Sequence, residues 1–230
     1  MDNMYKKYTM ILDTETTGLQ NSYPTQISYI LVTFDPIYNI EKTVNKYIQL
    51  PSNIVLSSEV TDITGITRAM CDSGDVEKDV LKEFCDDYLS CHMIVVHNYE
   101  FDIKCLFHAI QRNWEMLKNT HPNALVLFDP IYMKENGISY HCTMKSNIER
   151  CKLPFAHSLD FKRKQRKGFK YPKLEELYIV LFNQKPKHLH NAMMDILVTL
   201  RCFYKTVKQK DIVESEFQEL IFKYITHIDH

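Results

Sequence analysis

The stretch YTMILDTETTGL, residues 8–19, decides the fold prediction because an apolar run ends in closely spaced carboxylates. Residues 8–13 are typical of a buried strand, and Gly18 then lets the chain turn away. Asp13 and Glu15 are two residues apart, which places both side chains on one face of a strand. Carboxylates so placed repel each other unless a cation, most naturally a divalent one, lies between them. An exposed strand end with two solvated acids is the alternative that this stretch leaves open.

Two further stretches carry acids beside apolar elements. In VVHNYEFD, residues 95–102, a strand candidate leads into a helix, and Asp102 lies where sites form at the edge of α/β sheets. An ordinary helix-start residue is the other interpretation of Asp102. In HNAMMD, residues 190–195, Asp195 opens an apolar helix, where a lone acid is costly unless it is paired or binds metal. A histidine side chain ordinarily has a pKa of about 6.5, so His190 is suited to proton abstraction. A hydrogen-bonded histidine in the core is the other interpretation of this residue.

The rest of the chain alternates between strand and helix periodicity. Further strands are predicted at residues 27–34, 38–50 and 93–97, and helices at residues 75–89, 101–114, 143–151, 173–182, 191–207 and 213–225. Residues 120–140 are interrupted by prolines and a glycine and give no regular pattern. Strands that come first and then alternate with helices indicate an α/β domain with a mixed sheet.

Together the acidic stretches resemble the motifs of the DnaQ-like exonucleases, the DEDD superfamily, in the group that has a histidine five residues before the last aspartate. The matching motifs are ILDTETTGL at residues 11–19, HNxxFD at residues 97–102 and HxAxxD at residues 190–195. The resemblance implies a ribonuclease H-like fold, a mixed β-sheet flanked by α-helices. We expect residues 1–230 to form one such domain, with a core at about 8–207 and a C-terminal helix at about 211–226. Cys142 stands where many members have aspartate, but that aspartate is not a metal-site acid.

The same resemblance implies a metal-dependent 3′–5′ exonuclease that releases nucleoside 5′-monophosphates. Asp13, Glu15, Asp102 and Asp195 would bind two divalent ions, Mg²⁺ or Mn²⁺, that clamp the phosphodiester. His190 would be the general base, and Glu15 would also help to hold the terminal 3′-hydroxyl. The positions expected to contact the last nucleotides are Thr14, Thr17, Gly18, Leu19, Asn98 and Phe101. Packing in the core is an equally good explanation of the phenylalanine in that set.

The basic tract, residues 162–173, contains seven basic and no acidic side chains. Because two aromatic residues lie among the cations, we predict that it follows a single-stranded backbone. The cations in question include Lys162, Arg163, Lys164, Arg166, Lys167 and Lys170. A solvated loop or a cluster of the nuclear-localisation type is the alternative.

Composition excludes several other classes of protein. The chain has five glycines, none spaced to form a Gly-rich phosphate loop, and its net charge of −1 argues against coating nucleic acid by bulk charge. Seven cysteines without C-x-x-C pairing fit a reducing compartment. With no signal-peptide core and no membrane-length apolar run, we expect an intracellular protein, cytoplasmic or nuclear and not secreted. A zinc site from Cys91, His92, His141 and Cys142 lacks the usual ligand spacing.

The expected partner is the 3′ end of a single-stranded nucleic acid, with DNA favoured over RNA. An exoribonuclease for short RNA or RNA 3′ tails is the nearest alternative, because sugar discrimination depends on a few contacts that the sequence does not identify. A non-catalytic module that binds nucleic acid or a polymerase is a further alternative, although all four acids and the histidine are present. A polymerase partner and a homo-oligomer stay open.

Overall fold

A computed structural model of the chain describes residues 7–19, 22–155, 168–187, 189 and 191–225. The strands in this part of the chain are β1 (Tyr8–Thr16), β2 (Pro24–Phe34), β3 (Tyr38–Tyr47), β4 (Cys91–Val96) and β5 (Ser139–Cys142). The helices are α1 (Ser58–Thr64), α2 (Arg68–Asp72), α3 (Glu77–Leu89), α4 (Tyr99–Arg112), α5 (Trp114–Leu117), α6 (Pro130–Glu135), α7 (Thr143–Ser146), α8 (Ile148–Cys151), α9 (Leu174–Phe182), α10 (Ala192–Thr206) and α11 (Glu214–Tyr224), with a 3₁₀ turn at Ala124–Val126.

The strands form one sheet in the order β3-β2-β1-β4-β5. β1 lies at the centre, antiparallel to β2 and parallel to β4. Of the two outer strands, β3 is antiparallel to β2 and β5 is parallel to β4. The predicted mixed α/β sheet with flanking helices is therefore confirmed.

The alternation of side chains along β1 divides the interior into two layers. Met10 and Leu12 pack into a core with residues of α3 and α4, such as Phe84 and Leu106. Ile11 faces the other way, into a core built largely from α10. All of these side chains are buried, and each contributes about 1.5–3 kcal/mol of burial free energy. Both faces of the sheet are thus covered by helices, and the carboxyl end of β1 lies between the two layers.

β1 is longer than the sequence pattern predicts. Thr14 and Glu15 continue the pairing with β2, opposite Ile27 and Gln26, so the strand ends at Thr16 and not at residue 13. Backbone pairing with a long neighbour sustains the strand although the apolar run has ended. Both predicted site acids of this stretch therefore lie within the strand.

Other departures concern short elements. The predicted helix at residues 143–151 divides into α7 and α8 at Asn147, whose backbone is not helical and whose side chain donates to the carbonyl of Thr143 at 2.9 Å. α1, α2 and β5 were not predicted, because elements of four to seven residues are too short to show a period. No helix in the described part of the chain combines the length and the apolar character needed to cross a membrane.

Candidate active site

Three carboxylates meet at the carboxyl end of β1. Asp13 and Glu15 lie on the face of the strand that α10 covers, and both are partly exposed. Asp195 comes from the first turn of α10, whose neighbouring residues Met194 and Ile196 are buried in the core. One carboxylate oxygen from each of the three acids lies within 4.8 Å of the others. The apolar anchoring of the helix thus fixes an acid against the strand that carries the other two.

The start of α10 is held by its own capping residue. The side chain of Asn191 accepts a hydrogen bond from the amide of Met194 at 3.2 Å, as an N-cap residue does. This bond stabilises the helical turn that carries Asp195. The predicted general base, His190, directly precedes the cap in sequence but lies outside the described residues.

Asp102 approaches from the other layer. It is 2% exposed in the first turn of α4, and its Oδ1 accepts hydrogen bonds from the amide of Thr14 at 2.9 Å and from the Thr14 hydroxyl at 2.8 Å. Asp102 does not belong to the three-carboxylate group, but the charge of Asp13 helps to raise its pKa, so the two acids are close. The structure therefore brings all four predicted acids to one end of the central strand.

Sequence reasoning missed the part that Thr14 plays. We expected it to contact substrate, whereas the structure shows a buried residue whose hydroxyl donates to Asp102. The partners are 88 positions apart, so only the tertiary fold brings them together. One signal was available: a hydroxyl residue between two site acids of a strand must face the opposite layer.

Burial and mutual repulsion make full ionisation of these acids unfavourable. Burial raises the pKa of Asp13 to about 7. Burial, followed by the charges of Asp13, Asp195 and Asp102, raises the pKa of Glu15 to about 9. The pKa of Asp102 is also raised, first by burial and then by Asp13. A divalent cation would offset this repulsion, and carboxylate oxygens are the ligands that Mg²⁺ and Mn²⁺ prefer, so the donor set fits such an ion.

The other predicted substrate contacts lie close in sequence to the site acids. Thr17 accepts a hydrogen bond from the amide of Tyr23 at 3.1 Å, and Gly18 has a φ of 147°, which a side chain would disfavour. Leu19 is 82% exposed. Asn98 precedes α4 with a left-handed φ of 81°, and Phe101 is partly exposed rather than buried in a core.

The basic tract and the alternative Cys/His zinc site are compared with the structure only as far as the described residues extend. Of the basic tract, Lys162, Arg163, Lys164, Arg166 and Lys167 lie outside the described residues, whereas Lys170 forms an ion pair with Glu176. Among the described residues, the His, Cys, Asp and Glu side chains that could hold a metal form one group, the three acids above. The weak Cys/His zinc site therefore receives no support in this part of the chain.

A family model described as Exonuclease matches residues 10–203. The chain belongs to the exonuclease family. This match confirms the predicted resemblance to the DnaQ-like exonucleases. It also confirms the expectation of an enzyme, a hydrolase that acts on phosphodiester bonds.

Individual relatives of this exonuclease domain are named as DNA polymerase III proteins. The chain is 30% identical over 129 residues to the PolC-type DNA polymerase III of Oceanobacillus iheyensis, covering 54% of this chain and 8% of the relative. It is 26% identical over 103 residues to the DNA polymerase III subunit epsilon of Buchnera aphidicola subsp. Acyrthosiphon pisum, covering 44% and 43% respectively. The chain thus matches less than half the length of these relatives.

Solved structures confirm the fold of the exonuclease domain. Escherichia coli Exonuclease I in complex with a dT13 oligonucleotide superposes with a TM-score of 0.63 at 16% identity, covering 88% of this chain and 42% of that chain. The same enzyme in complex with a dA16 oligonucleotide gives a TM-score of 0.61 and covers 95% of this chain and 43% of that one. The likeness bears out the predicted ribonuclease H-like arrangement of sheet and helices.

Proposed function

We propose that this protein is a metal-dependent 3′–5′ exonuclease that removes nucleoside 5′-monophosphates from the 3′ end of DNA. The observation that carries the proposal is the convergence of Asp13, Glu15 and Asp195, with carboxylate oxygens within 4.8 Å of one another, in a chain of the exonuclease family. Repelling acids brought to one point by two separate segments, β1 and α10, are costly to maintain, and cation binding explains them.

Asp13, Glu15, Asp102 and Asp195 would together hold two divalent ions, Mg²⁺ or Mn²⁺. Such a pair would supply an activated water and would stabilise the charge that develops on the phosphodiester oxygens. Within the protein, the two hydrogen bonds from Thr14 fix the Asp102 carboxylate, and the Asn191 cap fixes the turn of Asp195. These bonds orient the acids before substrate arrives, which lowers the cost of reorganisation during the reaction.

His190 is proposed to accept the proton of the attacking water, because a neutral imidazole at ordinary pH has the right basicity. Glu15 is proposed to accept a hydrogen bond from the terminal 3′-hydroxyl. The exposed side chain of Leu19 is suited to enter between the last two bases, and Asn98 and Phe101 are proposed to contact the last nucleotide. The basic tract would follow the strand as it leaves the site.

Single-stranded DNA is the favoured substrate. The structures that share this fold include Exonuclease I bound to dT13 and to dA16, and the curated relatives are named as DNA polymerase III components. By the same likeness, association with a polymerase is a proposal for the protein's partner.

The test is a nuclease assay on the full chain with 5′-labelled single-stranded DNA, single-stranded RNA and duplex DNA, in Mg²⁺, Mn²⁺ or EDTA. We expect 3′ shortening of single-stranded DNA that requires metal. Asp195→Asn should lower kcat on the order of 10³-fold, because it removes one of the negative charges that would hold the divalent ions in the catalytic centre. Glu219→Gln, the corresponding change at an exposed acid of α11, should leave activity unchanged.

The three possible substrates also separate the alternatives. Shortening of RNA but not DNA would replace the proposal by an exoribonuclease. Absence of metal-dependent shortening of every substrate would overturn the catalytic reading and favour a binding module.

A further inference from the structure

His97 has a pair of contacts that the proposed chemistry does not use. It follows β4 directly, and its imidazole is largely buried. Nδ1 lies 2.9 Å from the hydroxyl of Thr143, at the start of α7, and Nε2 lies 3.1 Å from the carbonyl oxygen of Pro172. The ring therefore bridges two segments that are distant in sequence, on the same corner of the sheet from which α4 and Asp102 begin.

The chemistry of the two partners fixes the tautomer of His97. A carbonyl oxygen only accepts hydrogen bonds, so Nε2 must carry the proton that it donates to Pro172. Burial lowers the pKa of His97 to about 4, so at neutral pH the ring is uncharged and Nδ1 accepts from Thr143. The imidazole is then satisfied on both sides, and its donor is committed to Pro172.

Pro172 lies inside a short segment that is tied down at several points. The amide of Lys170 donates to the carbonyl of Leu153 at 2.9 Å, and the amide of Lys173 donates to Glu176 at 2.8 Å. Between these bonds, Pro172 is buried and is the residue held by His97. Its neighbours on either side face solvent, and Tyr171 is 56% exposed. The bond from His97 thus determines how the flanking side chains are presented.

Tyr171 is connected to the corner that carries the acidic site, because its neighbour Pro172 is bound by His97, which directly precedes Asn98 and α4. Lys145 of α7 forms an ion pair with Glu100 in the first turn of α4, two residues before Asp102. The exposed ring of Tyr171 is therefore attached, through Pro172 and His97, to the segment from which the helix with Asp102 begins.

We propose that His97 is a positioning residue that holds Tyr171 and Lys173 as a contact for the single-stranded nucleic acid upstream of the cleaved bond. An exposed ring accepts a stacked base of any sequence, and the adjacent ammonium groups attract phosphates. The inference rests on the proposed exonuclease function and adds a binding contact to it. His97 itself would touch neither substrate nor the reacting atoms.

The test compares a long and a minimal substrate. The long one is a single-stranded DNA of about 20 nucleotides, enough to pass the acidic site and Tyr171. The minimal one is the nitrophenyl ester of thymidine 5′-monophosphate, which ends at the reacting phosphate. We expect His97→Asn, whose shorter amide does not reach Pro172, to raise KM for the DNA about tenfold, the effect of losing one stacked base. The kcat for DNA and both constants for the ester should stay unchanged.

Two further variants sharpen the result. His97→Gln can place an amide N–H near the former Nε2 position, so it should restore KM towards the wild-type value. Tyr171→Ala removes an exposed ring without touching a core, so it should fold and should raise KM for the DNA as His97→Asn does. If His97 acts through Tyr171, the double variant should show no further rise.

Each other outcome contradicts the proposal in a recognisable way. Equal loss of kcat on both substrates in a folded His97→Asn protein would show a general structural role. Unchanged KM in Tyr171→Ala would remove the contact, whether or not the His97 variants fold. Failure of the wild-type protein to cleave the ester and the DNA would instead refute the exonuclease function. In that case, NMR of the wild-type chain with the same DNA in EDTA still tests the contact: unshifted Tyr171 ring signals on binding would overturn it.

Discussion

Two hydrogen bonds from Thr14 hold the carboxylate of Asp102 at the site. The acid lies in the layer of α4, whereas the other site acids lie on the α10 side of β1, and the Thr14 amide and hydroxyl connect the two sides through the strand. Thr14 thus supports the site from the face of β1 that lies opposite to Asp13 and Glu15. For the same reason, replacing Thr14 would disturb Asp102 before it affected any substrate contact.

Two substitutions of Asn98 distinguish the role of its backbone conformation from the role of its side chain. Its φ of 81° costs most residues about 1–2 kcal/mol, a cost that glycine does not bear. We predict that Asn98→Ala lowers the free energy of unfolding by about 1 kcal/mol, whereas Asn98→Gly leaves it nearly unchanged. Urea denaturation measures both.

The kinetics of the same pair test the proposed substrate contact. If the Asn98 amide contacts the last nucleotide, both variants should raise KM for single-stranded DNA although only one is destabilised. A normal KM in Asn98→Gly would limit this residue to a conformational role.

Among the helices, Arg201 joins three elements in one buried contact. It is 4% exposed on α10, donates to Tyr178 of α9, and forms an ion pair with Glu214 of α11 at 2.8 Å. Its guanidinium also lies 4.2 Å from the ring centre of Phe182 and 4.7 Å from that of Phe217. The planar cation therefore fastens α9 and α11 onto the helix that carries Asp195.

We predict that Arg201→Ala lowers the free energy of unfolding by about 3 kcal/mol, because it removes a buried side chain that packs against the aromatic rings of α9 and α11. Lys205→Ala is the matched control on the same helix, where a half-exposed ion pair with Asp211 should contribute less than about 1 kcal/mol. Urea unfolding gives both values, and amide exchange should show earlier opening of α11 in the arginine variant. Similar losses in the two variants would contradict this account of the contact.

At the scale of the whole molecule, the crowded acids couple stability to pH and to metal. The ordinary pKa values of Asp13 and Glu15 are 3.8 and 4.5, and folding raises them to about 7 and about 9. At pH values between the ordinary and the raised pKa values, the folded protein binds more protons than the unfolded chain. Its stability therefore falls as the pH rises through this range. The stabilising effect of protonation is complete only at acidic pH.

We therefore predict that, in EDTA, Tm falls as the pH is raised from about 5 to about 8. Mg²⁺ or Mn²⁺ should raise Tm more at the upper pH, because the ionised acids are the ligands and binding stabilises the folded state. Asp13→Asn should flatten the pH dependence in EDTA and weaken the response to metal. Thermal scans across this range measure all three, and a Tm that is equal with and without metal at the upper pH would argue against the cation site.

The sequence is sufficient for the features that have a local cause. The alternation along β1, the spacing of Asp13 and Glu15, and the apolar helix behind Asp195 each result from neighbouring residues, and the long elements have the predicted type. Motif order along the chain identified the family. Short elements without a period, such as α1, α2 and β5, were not found because nothing local distinguishes them from loops.

What only the tertiary structure decided is how distant residues meet. Nothing in the sequence places Thr14 against Asp102, His97 against Pro172, or Arg201 against α11. These contacts span from 13 to 88 positions and depend on the packing of whole layers. The sequence by itself determined which acids are available, since strand and helix periods are local, whereas the fold decided their distances, burial and pKa values, because those depend on groups that only folding brings close.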